Sequence, residues 1–342
     1  MIALSGGGTG GHLASLKVLK EAFIEQGTVP IFIGSAYGQD SRWFVEGEGF
    51  AARYFLGTQR VMGRSLAGKL VASAMMASAI KKAIRILRKH QTKAVLSSGG
   101  YAAAAADFAA VLRGTPLYIH EHNVVSGHLH RLMAPFSQGL FNSYDETSPI
   151  RDYPVDTPFF ETRRVRHAVK RILFLGGSQG SRPINEFALK VSPLLQQRGI
   201  EISHQTGETD LEFVKAGYNS LKISADVFSF DENMATRMSR ADFAVTRAGA
   251  GTLWELAANG LPALFVPYPH AVRDHQYFNA RYFADQGLGF VIREEVLRPK
   301  HLFSALNNKI KETSSRLMDL IHPMGAKRIA EFVLKSVGLQ HG

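Results

Sequence analysis

The chain of 342 residues contains no cysteine. That excludes disulfides and thiolate metal sites and fits a reducing compartment. It has no apolar run long enough to span a bilayer, and the opening residues read as a strand and a glycine turn rather than a secretory leader. A soluble or peripheral protein is therefore expected. Acid is scarce: 29 Asp and Glu stand against 40 Lys and Arg, a net charge of +11. Such a balance favours an anionic partner, whether nucleic acid, an acidic membrane surface or a phosphorylated substrate. The chain is not short of apolar residues. At 45% hydrophobic it has enough for sizeable cores, and its length suggests two domains.

Strand-like runs alternate with helical ones. In the first half, strands are expected near Ile2–Leu4, Pro30–Ile33, Ala52–Leu56, Ala94–Ser97, Pro116–Ile119 and Leu140–Phe141. Helices are expected at Leu13–Gln26, Asp40–Glu48, Leu66–His90, Tyr101–Arg113 and Leu129–Met133. This alternation implies a doubly wound, mostly parallel sheet with ligands at the carboxyl ends of its strands. Pro149–Arg166 has three prolines and no periodicity and reads as a linker. The pattern then restarts at Lys170–Leu175, so two Rossmann-like domains are expected: 1–152, a linker over 153–168, and 169–325. A C-terminal helix over 326–342 is expected to pack back on the first domain.

The glycine-rich turns follow strands. Ser5–His12 reads as strand, turn and helix, a geometry in which backbone N–H groups and the helix dipole suit a phosphate. The alternative is glycine serving only to pack helix on strand. Gly6, Gly8 and Gly11 match the dinucleotide spacing, but the second strand ends Ile33-Gly34-Ser35 with Asp40 too late to grip a ribose, so NAD is disfavoured. Ser97–Tyr101 and Gly176–Ser181 repeat the junction. At Thr246–Glu255 small residues open a helix where a diphosphate would be stabilised, with Glu255 placed to accept from a ribose or simply to offset the dipole. Asp274 and Gln276 stand at another helix start, as sugar ligands or, for Asp274, an N-cap. His120 and His122 are expected on opposite faces of the extended chain, which disfavours a metal pair. Glu121 or Asn123 is the better candidate there. Leu66–His90 is amphipathic and basic without an acid, so it covers the sheet or lies on an anionic membrane.

Taken in order, these motifs resemble those of the MurG family of glycosyltransferases. Gly7–His12 resembles its first glycine loop, Gly99-Gly100-Tyr101 the second, His120–Asn123 its HEQN-like segment and Gly176–Arg182 its GGSQGA-R loop. Ala248–Glu255 is similar to the SGA-T--E donor motif, and Asp274-His275-Gln276 with Asn279-Ala280 to DHQ--NA. The resemblance implies a GT-B fold: two Rossmann-like doubly wound domains with the active site in an interdomain cleft. It implies inverting transfer of N-acetylglucosamine from UDP-N-acetylglucosamine to the 4-OH of N-acetylmuramic acid in undecaprenyl-linked lipid I. Carried over by position, Thr9, Gly10, Gly11 and Asn123 contact the donor from the first domain. Ser178, Asp231, Ala250, Gly251, Thr252, Leu253, Trp254 and Glu255 line the UDP site, and Gln276 holds the sugar. His12 is the first candidate for general base and Glu121 the second. One departure stands out: where the family has NP-(V/I)-R, this chain reads Tyr153-Pro154-Val155-Asp156, and Arg151 or Arg163 would have to replace the missing arginine.

No Asp-x-Asp motif is present, so neither metal nor cofactor is expected. The lipid acceptor implies an anionic membrane partner, met by Lys69, Lys81, Lys82, Arg85 and Arg88, and a peripheral position on the cytoplasmic face of the inner membrane. Nucleic acid is not expected, because the aromatic and basic interleaving that single strands need is missing. The rivals are a UDP-N-acetylglucosamine 2-epimerase and a non-catalytic nucleotide-sugar or nucleic-acid binding module.

Overall fold

A computed structural model describes residues 1–8, 10–44, 49–58, 66–177 and 179–339, with the side chains of 66–70 excepted. The chain divides into two compact units, Met1–Pro154 with Met324–Gly342, and Val155–Pro323.

The first unit runs β1 (Ile2–Ser5), α1 (Gly10–Glu25), β2 (Ile31–Ser35), α2 (Asp40–Trp43), β3 (Ala52–Leu56), α3 (Leu66–Lys89), β4 (Ala94–Ser97), α4 (Gly100–Arg113), β5 (Leu117–Glu121), α5 (His128–Met133) and β6 (Gly139–Asn142). All strands are parallel, in the order β3-β2-β1-β4-β5-β6. The strand direction of winding reverses between β1 and β4, which opens a crevice at their carboxyl ends. β1, β2, β4 and β5 are buried along their whole lengths. Sheets covered on both faces need such continuous apolar strands. The alanines of α4, Ala102–Ala106, Ala109 and Ala110, are buried, and their lack of side chain beyond Cβ lets α4 lie close to the sheet and to α3.

The second unit runs α6 (Thr157–Glu161), β7 (Arg171–Leu175), α7 (Arg182–Gln197), β8 (Glu201–Gln205), α8 (Leu211–Ser220), β9 (Asp226–Phe228), α9 (Met234–Arg240), β10 (Phe243–Thr246), α10 (Ala250–Asn259), β11 (Ala263–Phe265), α11 (His275–Ala284), β12 (Phe290–Val291), α12 (Pro299–Leu306) and α13 (Ile310–Asp319). Its parallel sheet is ordered β12-β11-β10-β7-β8-β9, the same winding with its reversal between β7 and β10. The chain then returns to the first unit as α14 (Gly325–Ser336). There Ile329, Ala330, Val333 and Leu334 are buried in one core with Leu16, Leu19 and Phe23 of α1. Each large apolar side chain so buried contributes about 1.5–3 kcal/mol.

The expected linker needs correction. Val155 onward belongs to the second unit, Asp156 precedes α6, and Arg166 is fully buried. Its guanidinium donates to the carbonyls of Arg164 (2.7 Å), Met238 (2.9 Å), Ala241 (3.2 Å) and Asn259, and to Asn259 Oδ1 at 2.5 Å. Periodicity registers apolar faces only, so it passes over a segment whose order comes from an arginine capping the last carbonyls of α9 and α10.

Candidate functional site

In the first unit the turn after β1 is held from both sides. The Asp40 carboxylate, fully buried, accepts the N–H groups of Gly8 (2.6 Å) and Ser35 (2.8 Å). Burial raises its pKa, and these two donors partly oppose the rise. Gly7 and Gly8 have φ of +135° and +80°, and a Cβ on Gly7 would meet the Asp40 carboxylate, one on Gly8 the Tyr101 ring. The glycines are thus needed for close approach of a carboxylate and an aromatic ring. The Gly8 N–H, expected to face a phosphate, is already spent on Asp40. His12, half-buried in the first turn of α1, has Nδ1 3.2 Å from the carbonyl of Gly7.

The segment after β5 also differs from expectation. His120 and His122 lie on the same side, with ring centroids 4.5 Å apart; a strand repeats every two residues, so positions 120 and 122 must share a face. His122 is buried, its Nδ1 2.6 Å from Tyr153 Oη, and its ring meets that of His12 edge-on at 4.8 Å. Burial, with the neighbouring histidines, holds His122 neutral. His120 is pushed down to about 3 by burial and has no hydrogen-bond partner among the described residues. Glu121 is no base. It is 2% exposed and accepts from His130 Nδ1 (2.8 Å), Gly127 N (3.2 Å), Asn123 N (3.0 Å) and Asn123 Nδ2 (3.4 Å). Burial alone would raise its pKa, but His130 and the two backbone N–H groups carry it below the usual carboxylate range. Glu121 therefore orients Asn123. His130 and Tyr153 carry no sequence signal for these contacts, which only the tertiary fold makes.

In the second unit α7 fixes the loop that follows β8. Asn185 donates to the Thr206 carbonyl (3.1 Å) and to Asp210 (2.8 Å), while Arg182 reaches Asp210 (3.0 Å) and Glu186 (2.8 Å). The principal feature is the start of α10. Gly249 is its N-cap and makes no side-chain capping bond, so the N–H groups of Ala250, Gly251 and Thr252 and the dipole are presented at an uncapped end. Leu253 and Trp254 need correction as ligand residues. Both are buried, Trp254 packs on Phe283 at 5.2 Å, and the Leu253 N–H already donates to Gly249 O (3.1 Å). Glu255 is half-buried, and no hydrogen-bond donor among the described residues reaches it. Burial, then the charge of Asp156, pushes it up to about 7.

Gln276 ties two loops together, because its Oε1 accepts the N–H of Ala248 (3.2 Å) and of Tyr268 (3.0 Å). With its oxygen so committed, its amide nitrogen is the end that can address a ligand. Asp274 is paired with Arg293 at 2.5 Å, and both Arg273 and Asp274 hold φ of +55°, a left-handed conformation costly for residues with a Cβ. Asp231 is engaged locally by Arg237 (2.6 Å) and Asn233 N (2.8 Å). Thr9 and Ser178 lie outside the described residues, as does the side chain of Lys69.

Lys81, Lys82, Arg85 and Arg88 are exposed on α3, whereas its Ala79, Ala83, Ile86 and Leu87 are buried in the protein. These four residues pack in the core with the sheet, while Val71 near the start of the same helix is exposed. Among the described residues no helix is long and apolar enough to cross a membrane.

Comparison with known proteins agrees with this geometry. Residues 2–141 match the glycosyltransferase family 28 N-terminal domain and residues 171–332 its C-terminal domain. A UDP-N-acetylglucosamine–N-acetylmuramyl-(pentapeptide) pyrophosphoryl-undecaprenol N-acetylglucosamine transferase of Wolinella succinogenes is 49% identical over 97% of this chain and 99% of its own. A Helicobacter pylori protein of the same name is 41% identical over 98% and 99%. Among solved structures, Acinetobacter baumannii MurG superposes with a TM-score of 0.79 at 28% identity, covering 98% of this chain and 99% of that one. A UDP-N-acetylglucosamine 2-epimerase from Neisseria meningitidis shares the fold (TM-score 0.64) at only 14% identity, with all of both chains covered.

Proposed function

The chain belongs to the MurG family within glycosyltransferase family 28, and from that membership we propose how its residues divide the work of the transfer. The enzyme moves N-acetylglucosamine from UDP-N-acetylglucosamine to the 4-hydroxyl of N-acetylmuramic acid in undecaprenyl-diphosphoryl-N-acetylmuramoyl-pentapeptide. It thereby converts lipid I to lipid II in peptidoglycan synthesis, with inversion at the sugar.

The donor is assigned to the second unit. The observation that carries this is the start of α10, where a helix N-terminus with no side-chain cap stands one turn before a half-buried carboxylate that no donor among the described residues satisfies. The diphosphate takes the N–H groups of Ala250, Gly251 and Thr252, and the ribose hydroxyls donate to Glu255. Gln276 offers its amide nitrogen to the N-acetylglucosamine. As the bond between the anomeric carbon and the diphosphate oxygen breaks, its electron pair leaves on UDP, and the dipole and N–H groups of α10 stabilise the growing charge.

The acceptor side is assigned to the first unit. His12 Nε2 takes the proton of the 4-hydroxyl while that oxygen bonds to the anomeric carbon from the opposite face. Gly10, Gly11 and Asn123 of the same unit are the residues that contact the donor from this domain, with Glu121 fixing Asn123. His12→Ala is expected to lower kcat by roughly 10²–10⁴-fold with little change in donor KM. Glu255→Ala is expected to act chiefly on donor KM. A His12→Ala enzyme with unaltered kcat contradicts the assignment of the base.

A lipid-linked acceptor supports a peripheral position for the enzyme, at the cytoplasmic face of the inner membrane. The exposed Lys81, Lys82, Arg85 and Arg88 of α3, with the exposed apolar Leu112 and Leu132 on α4 and α5, and Phe136 just beyond α5, support an anionic lipid surface as partner.

A further inference from the structure

The carbonyl of Gly7 and the N–H of Gly8 are the two ends of one peptide group. The N–H end is gripped by Asp40 Oδ1 at 2.6 Å, and the carbonyl end lies 3.2 Å from His12 Nδ1. A carbonyl only accepts, so Nδ1 must carry the proton, and the neutral ring then has its lone pair on Nε2. We propose that Asp40 is a positioning residue for His12, acting through the Gly7–Gly8 peptide to hold the imidazole in the tautomer and orientation a general base requires.

Several features fit this arrangement. Asp40 is fully buried and makes no ion pair among the described residues; its carboxylate accepts from Gly8 N, from Ser35 N at 2.8 Å and from its own backbone N–H. The second contact ties the carboxylate to the end of β2, so it cannot follow the turn if the turn shifts. The peptide is pinched on its other sides as well. Tyr101 covers Gly8 and donates its hydroxyl to the Tyr37 carbonyl at 2.8 Å, while a Cβ on Gly100 would stand 2.6 Å from the Gly7 oxygen and 3.4 Å from His12 Nδ1. Glycine at 7, 8 and 100 is thus what lets carboxylate, peptide and imidazole line up. An anionic acceptor on the N–H end polarises the peptide and strengthens the bond its carbonyl receives. That makes the ring with the extra proton, formed when Nε2 takes the hydroxyl proton, better stabilised at Nδ1.

The inference rests on the assignment of His12 as base, and the test separates the two. Asp40→Asn keeps the shape, but its amide presents an N–H₂ to one of the two backbone donors. In the full-length enzyme it is expected to lower kcat about 10-fold, with donor and acceptor KM within about twofold. The same change in a His12→Ala enzyme is expected to have no further effect, because the group it positions is gone. Equal loss in both backgrounds, or a loss expressed in KM, overturns the positioning role while leaving His12 as base. A His12→Ala enzyme that keeps its kcat overturns both. Should Asp40→Asn fail to fold, nitrogen NMR of the histidine-labelled wild-type protein decides instead, with the His12 signal identified by its loss in His12→Gln. A proton on Nδ1 and a lone pair on Nε2 is the expected tautomer, and the opposite one overturns the proposal.

Discussion

Glu255 shows how one residue's surroundings set a measurable property. It is half-buried, unsatisfied by any donor among the described residues, and close enough to Asp156 to feel its charge. An acid pushed up to about 7 is ionised above that pH and neutral below it. Ribose hydroxyls donate to the ionised form, so donor KM is expected to rise as pH falls through about 7 and to be flat above it. Asp156→Asn removes the repelling charge and is expected to move that inflection to lower pH; initial-rate kinetics from pH 5.5 to 8.5 measure both. An unchanged inflection in Asp156→Asn means that Asp156 does not act on Glu255. Asp156 is also where the family pattern calls for arginine, and its effect here is on the ribose-binding acid. Arg163 stays exposed.

At the scale of elements, the strands were legible because buried parallel strands are short continuous apolar runs. β3, β4 and β10 begin and end where the run does, at Ala52–Leu56, Ala94–Ser97 and Phe243–Thr246. The turns after them were legible as sites through their glycines. Their inner wiring was not, because Asp40, Tyr101, His130 and Tyr153 reach the site only through contacts between segments far apart in sequence. The same limit hid the order of 155–168. Arg166→Met tests that order: it takes the buried donor from Asn259 O and one of two donors from the carbonyls of Arg164, Met238 and Ala241, which keep Ser314 Oγ, Ala241 N and Arg164 Nη2, at about 1–3 kcal/mol for each group left unsatisfied. The melting temperature of the second unit is expected to fall by several degrees, followed by far-UV circular dichroism. A melting curve that does not move means that these carbonyls find other partners.

At the scale of the whole molecule, the chain builds two sheets of the same winding and closes the first unit with α14, its last helix. The excess of basic residues has a place in this account, since Lys81, Lys82, Arg85, Arg88 and Lys89 stand exposed on one helix of the unit assigned to the lipid acceptor. Reversing charge at Lys81, Lys82 and Arg85 is expected to reduce co-sedimentation with anionic vesicles several-fold and to leave turnover of a detergent-soluble acceptor unchanged. Undiminished sedimentation means that the surface lies elsewhere. The central claim is the transfer itself, and the most direct measurement is incubation of the full-length protein with labelled UDP-N-acetylglucosamine and a short-chain lipid I analogue. The account predicts UDP release matched by a β-linked N-acetylglucosaminyl lipid, and no change in the donor when the acceptor is left out. Absence of transfer in every detergent tried, or conversion of the donor to its 2-epimer without acceptor, would contradict it.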